Sequence, residues 1–304
     1  MKLNNSQYET IKKWMYKNAR PLDLARWQFH FEKVTNENVV NALSAYQNED
    51  GGFGHALEPD CWNPNSSPIQ IQFAMEILRE IVFDDLASPI IQNIVRYLDS
   101  GKNFCNNKWE CEIESNNDYP HASWWQWKAP IFHSYNPTAF LAGFMLRHSK
   151  PGSDAYEKAE ICVKQAAGTF INQTDDEGSH NLHCLLRMYQ YCKESGVQNL
   201  FDMSAFEKAL NKNIQRKLNN IDDYSVVSGM NLIFINAYPN DELTIKYADY
   251  ILSKLQHDGV WNIPWDWNEY SNEWAISKNW WKGHVIINNL LFLKQHHYLS
   301  GITL

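Results

Sequence analysis

The chain carries no excess of positive charge. Of its 304 residues, 27 are Lys or Arg and 35 are Asp or Glu, a formal net charge of −8. Phosphate backbones and anionic bilayers are held by clustered cations, so neither nucleic acid nor a charged membrane surface is an expected partner. No apolar run approaches the ~18 residues that a membrane span needs. The opening segment, "MKLNNSQYETIKKWMYKN", is polar with amphipathic spacing and has no continuous apolar signal-peptide centre. We therefore expect a soluble, cytoplasmic protein without membrane insertion. None of the six cysteines (Cys61, Cys105, Cys111, Cys162, Cys184, Cys192) belongs to a CxxC pair. The last three fall in helix-like segments, which reads as reduced core thiols. Alternating strand patterns are scarce too.

Aromatic residues are abundant: 13 Trp, 15 Tyr and 14 Phe. Many of the tryptophans lie outside periodic segments, in "HASWWQWKAP" and "WNIPWDWNEYSNEW". Tryptophan in a loop often lines a ligand cavity or clamps the loop to a scaffold.

Elsewhere apolar residues recur at helical spacing. "IQIQFAMEILREIV" puts Ile71, Met75, Leu78 and Val82 on one face. The spacing predicts paired helices: 5–18 with 20–33, 36–46 with 67–82, 88–100 with 137–149, 153–171 with 178–194, 204–218 with 225–237, and 241–256 with 279–298. That is about six hairpins of roughly fifty residues each. "DYSVVSGMNLIFINAY" is the most ambiguous of them, since Val, Ile and Phe also suit strands; we read it as helix. Long links rich in Trp, Pro, Asn and Gly precede residues 67, 137 and 279. Links of that length inside a compact domain usually carry function. The fold expected is all-α, one domain spanning 1–304.

An internal echo supports a repeat. "LSAYQNEDGGF" at 43–53 parallels "LSKLQHDGVW" at 252–261. In each, an apolar helix end is followed by Gln, an acid, Gly and an aromatic. Glycine can end a helix in the left-handed conformation, the Gln amide can bond nearby backbone groups, and the aromatic can fold back onto apolar surface.

These residues resemble the repeat of squalene cyclases and protein prenyltransferase β-subunits. Gln47, Gly51 and Phe53 fit its spacing, and Gln256, Gly259 and Trp261 fit with one residue missing. "GGFGHALEPD", "SSPIQ", "PHASWW" and the Trp-rich C-terminal segment look like a group of uncharacterised bacterial proteins of this class. The resemblance implies an α/α toroid of about six helical hairpins around a central cavity. Two catalytic devices of the class can be sought here. Class II terpene cyclases protonate their substrate with the middle aspartate of D-x-D-D. The nearest string, "QTDDEG", has Gln173 in place of the first Asp, with Asp175 as the acid and Asp176 beside it. Prenyltransferases bind zinc through Asp-x-Cys and a distant His. Here Asp60 and Cys61 are adjacent, and His180 or His183 lies far downstream, a spacing that does not match. No metal or cofactor is expected.

In such a toroid the loops leading into inner helices gather at one mouth. That topology would bring together His55, Glu58, Asp60, His121, Asn136, His180, Trp265 and Trp267. Glu58 and Asp60, close in sequence, can act as acid and base if proximity splits their pKa values. His121 and His180 can move protons near neutral pH. We assign catalysis to these four. Substrate binding falls to His55, Trp124, Trp125, Asn136, Trp265 and Trp267, the indoles offering π faces to a carbocation or to the apolar face of a sugar. The competing role for Glu58 and Asp60 is loop bracing, and for the tryptophans a hydrophobic lid. Ser66 and Ser67, before Pro68, read as a helix cap.

Three functions follow. The first is an isoprenoid-processing enzyme of terpene cyclase or prenyltransferase-like type, working by acid–base chemistry in an aromatic cavity. The second is a carbohydrate-active α/α-toroid enzyme, a glycoside hydrolase or lyase, because sugar sites pair Trp platforms with carboxylates. The third is a non-catalytic small-ligand module. The partner is a small molecule, isoprenoid or sugar. A deep apolar chamber would favour the first function, and an open groove with Trp and carboxylates the second.

Overall fold

The computed structural model describes residues 1–128, 134–173, 178–197 and 199–302. In chain order the elements are β1 (Leu3–Asn4), α1 (Asn5–Asn18), α2 (Pro21–Glu32), α3 (Glu37–Ser44), α4 (Pro68–Glu80), α5 (Pro89–Asp99), β2 (Phe104–Cys105), β3 (Lys108–Trp109), α6 (Thr138–His148), α7 (Asp154–Asn172), α8 (Ser179–Glu194), α9 (Met203–Leu218), α10 (Asp223–Ser228), α11 (Met230–Ala237), α12 (Asp241–Lys254), α13 (Ser271–Gln295) and β4 (Leu299–Ser300). Among the described residues the regular secondary structure is helical apart from these two-residue strands, which agrees with the all-α expectation. No helix is long and apolar enough to cross a membrane among the described residues.

Three details differ from the periodicity. The helix predicted over 225–237 is interrupted at Gly229, whose φ of 70° is left-handed, and splits into α10 and α11. The last helix begins at Ser271, earlier than its apolar stripe, because Trp274 is already buried there. Residues 104–109 form a small antiparallel hairpin, turned by Asn106 and Asn107 at φ 50° and 58°. Asparagine tolerates that conformation better than most residues do.

By its contacts the chain forms two compact units, 1–45 with 217–304, and 46–216. In the first unit α13 packs on α1, α2, α10 and α12, and α2 packs on α3. Leu3 pairs with Leu299 and Asn4 with Ser300 in a parallel bridge that joins the two ends of the chain. Asp23, fully buried, accepts from Arg20 Nε at 2.6 Å and Arg26 Nη1 at 2.9 Å. Arg26 Nη1 also lies 3.0 Å from His284 Nδ1. A guanidinium only donates, so Nδ1 accepts.

In the second unit α4, α6 and α8 contact one another in succession. A second row, α5 and α7, packs against them. Every residue of α6 from Thr138 to Leu146 is buried, as expected of a helix covered on all sides. Between α4 and α8, Glu76 accepts from Arg187 Nε (2.9 Å) and Nη2 (2.8 Å), while His183 Nε2 lies 2.6 Å from its Oε1. Burial would raise the Glu76 pKa, but Arg187 and His183 outweigh it and hold the carboxyl well below its usual range.

The two echoing segments fold alike. In one, Asn48 N–H donates to Gly52 O (2.8 Å) and Gly51 N–H to Asn48 O (2.9 Å); in the other, Gln256 N–H donates to Val260 O (2.9 Å) and Gly259 N–H to Gln256 O (3.0 Å). Gly51 and Gly259 are left-handed, at φ 96° and 87°, and Phe53 and Trp261 are buried at 0% and 1% exposure. The bonds align Gln256 with Asn48 instead of Gln47. The turns are therefore equal in length, and the apparent gap arises from matching the wrong glutamine. Gln47 does bond the backbone as expected, donating to Gly51 O (3.0 Å) and Ile90 O (3.1 Å).

Two outcomes follow. A Cβ on Gly51 would run into the Asn93 carbonyl of α5, whereas one on Gly259 would come only to 3.0 Å from Ile11 N. Gly51→Ala should cost about 3 kcal/mol or more and Gly259→Ala about 1–2 kcal/mol, read from urea midpoints at constant m. A depressed carboxyl pKa contributes stability above the unfolded value, ~4.3 for Glu, and loses it as pH falls further. Glu76→Gln should lower stability at neutral pH by about 2 kcal/mol and flatten the acid limb below about pH 4.

Candidate functional site

The loop between α3 and α4 and the loop between β3 and α6 are sewn together inside the second unit. Trp62 N–H donates to Pro120 O at 2.9 Å and Ala122 N–H to Asp60 O at 2.8 Å, around an antiparallel bridge between Cys61 and His121. Glu58, Asp60 and His121, nominated from different parts of the chain, are thus brought side by side.

Each is engaged. Glu58 and Asp60 are 6% and 2% exposed, and Glu58 Oε2 accepts the Asp60 N–H at 3.1 Å. Glu58 N–H donates to Gln70 Oε1 at 2.6 Å, and Gln70 Nε2 donates to Cys61 O at 3.2 Å. His121 Nδ1 lies 2.7 Å from Tyr119 O. A carbonyl only accepts, so Nδ1 carries a proton. Burial, with the Glu58 and Asp60 charges adding to it, pushes the Cys61 thiol up to about 12. At neutral pH it is a protonated core group. Among the described residues, no three His, Cys, Asp or Glu are placed to hold a metal ion.

The remaining nominated residues are dispersed. His55 is exposed at φ 57°, its Nε2 2.9 Å from Asn48 Oδ1. Trp125 is buried and its carbonyl accepts from Asn116; Trp124 beside it is half-buried. Asn136 is buried and receives the Cys184 thiol at 3.2 Å. The Tyr135 N–H donates to Asn181 Oδ1 at 2.9 Å, which ties this segment to the start of α8, where His180 is exposed. Trp265 and Trp267 belong to the first unit. Trp267 is 1% exposed against Trp274 at 5.6 Å, and Trp265 packs edge-on against Trp281 at 5.4 Å. Asp175 and Asp176 lie outside the described residues.

Beside the sewn loops lies an open groove of about 660 Å³. Trp127, half-buried, supplies its aromatic wall, and Ile113 is its one aliphatic lining residue among the described residues. The rest is polar: the amides of Asn65, Asn103 and Asn117, the hydroxyls of Ser66 and Ser115, the Lys102 ammonium, and the carboxylates of Glu114 and Asp118. Short bonds fix this wall. Asn63 Nδ2 donates to Ser115 Oγ (2.8 Å) and to Asn116 Oδ1 (2.9 Å), and Trp127 N–H to Asn117 Oδ1 (2.9 Å). Ser66 was expected to cap α4. Instead its hydroxyl donates to Asp50 at 2.6 Å, and Ser67, at the cap position, makes no side-chain cap bond.

Sequence reasoning missed Gln70, Asn116 and the groove. Gln70 interrupts an otherwise apolar helix start, "PIQIQ", and is 1% exposed. A lone amide in such a stretch is a signal of internal bonding. The groove's Asn and Ser residues come from "NPNSS", "GKNF" and "ESNND", which read as turns. Compared with protein-family models, with curated proteins and with solved structures, the chain matches none.

Gln70→Leu leaves Glu58 N–H and Cys61 O without their side-chain partner, and Asn116→Ala does the same to Trp125 O. Each should cost about 1–3 kcal/mol, read as a drop in melting temperature, with faster hydrogen exchange at 58–63 in the Gln70 variant.

Proposed function

We propose that the chain is a carbohydrate-active protein that binds a saccharide in the groove of its second unit. The observation that carries this reading is the groove's lining: one indole wall surrounded by amides, hydroxyls and carboxylates, and open to solvent. A pyranose has an apolar face that stacks on an aromatic ring and a rim of hydroxyls that pair with planar polar groups. Glu114 and Asp118 provide the two carboxylates that glycosidic bond chemistry uses. Glu58, Asp60 and His121 act behind the groove in this reading, holding the loops that present it.

The α/α-toroid arrangement belongs to the same proposal. It is supported by the α4–α6–α8 row backed by α5 and α7, by the β1–β4 pairing of the chain ends, and by the two equivalent glycine turns. Those turns also support the squalene cyclase and prenyltransferase-like class, so a prenyl diphosphate is the second ligand to try. The fold alone selects neither.

Intrinsic tryptophan fluorescence during titration with mono- and oligosaccharides tests the reading. Saturable quenching is expected for at least one saccharide, and Trp127→Ala should weaken it by about tenfold, the loss of a stacked ring. Saturation by a prenyl diphosphate alone, or saccharide affinity indifferent to Trp127, overturns it.

A further inference from the structure

We infer that Asp50, in the glycine turn, is a positioning residue for the groove: its carboxylate holds the Lys102 ammonium and the Ser66 hydroxyl where a saccharide would meet them. The inference rests on the saccharide reading above and extends it to a residue outside the groove lining.

Asp50 Oδ1 accepts from Ser66 Oγ at 2.6 Å and from Gly52 N–H at 3.0 Å, while Oδ2 accepts from Lys102 Nζ at 2.8 Å. One carboxylate thus joins two lining groups to the backbone of the turn. An ammonium has three N–H donors and a hydroxyl two lone pairs. Asp50 uses one Lys102 donor. Ser66 Oγ, which gives its proton to Asp50, accepts from Asn48 Nδ2 at 2.9 Å. Lys102 keeps two further donors and Ser66 Oγ one lone pair for a sugar oxygen or hydroxyl. The long lysine chain is half-exposed, at 54%, and without an anchor would sample many rotamers. Fixing it beforehand removes that entropy from the binding step. Burial would raise the Asp50 pKa, but the bonds from Lys102, Ser66 and Gly52 lower it, so the anchor stays ionised at neutral pH.

The second glycine turn is an internal control. The backbone bonds align Asp258 with Asp50, Gly259 with Gly51 and Val260 with Gly52. Asp258 is exposed, and no hydrogen bond to its carboxylate is seen among the described residues. A side chain is tolerated at Val260, whereas a Cβ on Gly52 would come within 2.7 Å of Ser66 Oγ and 2.8 Å of Tyr97 Cδ2. The features that distinguish the first turn from its structural twin, a bonded Asp50 and a bare Gly52, are those that receive the groove wall. Both turns lie a few residues beyond the end of a helix. The first alone is shaped around Ser66 and Lys102.

A double-mutant cycle on saccharide affinity, read by calorimetry with the ligand that quenches Trp127, tests this. Lys102→Met and Asp50→Asn should each weaken binding by about five- to tenfold, the loss of one charge-assisted bond. The double variant should lose less than the sum of the two single losses, because both break the Asp50–Lys102 contact while only Asp50→Asn also frees Ser66. Asp258→Asn should bind like the parent. Additive losses, or an Asp50→Asn variant that melts earlier yet binds normally, overturn the inference and leave the saccharide reading intact. If Asp50→Asn does not fold, Lys102→Met, at an exposed position, decides: unchanged affinity overturns the inference. If the parent chain binds no saccharide, the reading and the inference fall together.

Discussion

A bare glycine pressed against a helix backbone is the constraint on which the second unit's site depends. Gly51 occupies a conformation that L side chains rarely adopt and sits against the Asn93 carbonyl of α5. That contact fixes the path of the chain at the start of the loop that runs to α4. Gln47 then reaches Ile90, Asn48 reaches Pro64 and Ser66, and Asp50 reaches Ser66 and Lys102. The turn thereby sets the position of the loop that follows, and with it one wall of the groove.

Polar side chains do most of the work in these loops. Gln70, Asn63, Asn116 and Glu58 are all buried, and each bonds backbone or another loop. Long irregular segments need such partners because their backbone groups have no ladder to join. The same requirement accounts for the Glu58 carboxylate, which accepts the Asp60 N–H. Glu58 satisfies an amide that folding had removed from water. The groove's own carboxylates, Glu114 and Asp118, come from a five-residue 3-10 turn over Glu114–Asp118 and line open space.

The helices were legible because their cause is local. Apolar spacing located α1, α2, α5 to α8 and α12 to within a few residues, since each buries one stripe or is buried all round. The left-handed turns were legible for the same reason: glycine followed by an aromatic is a short-range pattern. Less legible was the split at Gly229, where Val, Ile and Phe mask a single backbone reversal. The site was half-readable. Proximity of the loops carrying Glu58, Asp60 and His121 followed from expecting the loops to gather. The groove did not, because Asn65, Asn103 and Asn117 differ in no local way from ordinary turn residues.

The sequence by itself determined the helical class, the two glycine turns and the absence of a spanning helix among the described residues. Each of these depends on residues within about one turn or one short loop of each other. Only the tertiary structure decided the hydrogen-bond alignment of Gln256 with Asn48, the bracing role of Gln70, the turning of Ser66 away from its cap toward Asp50, and the choice of Trp127 over its neighbours as the groove wall. Those outcomes depend on which distant segment supplies a partner for a buried polar group, and residue spacing along the chain carries no record of that.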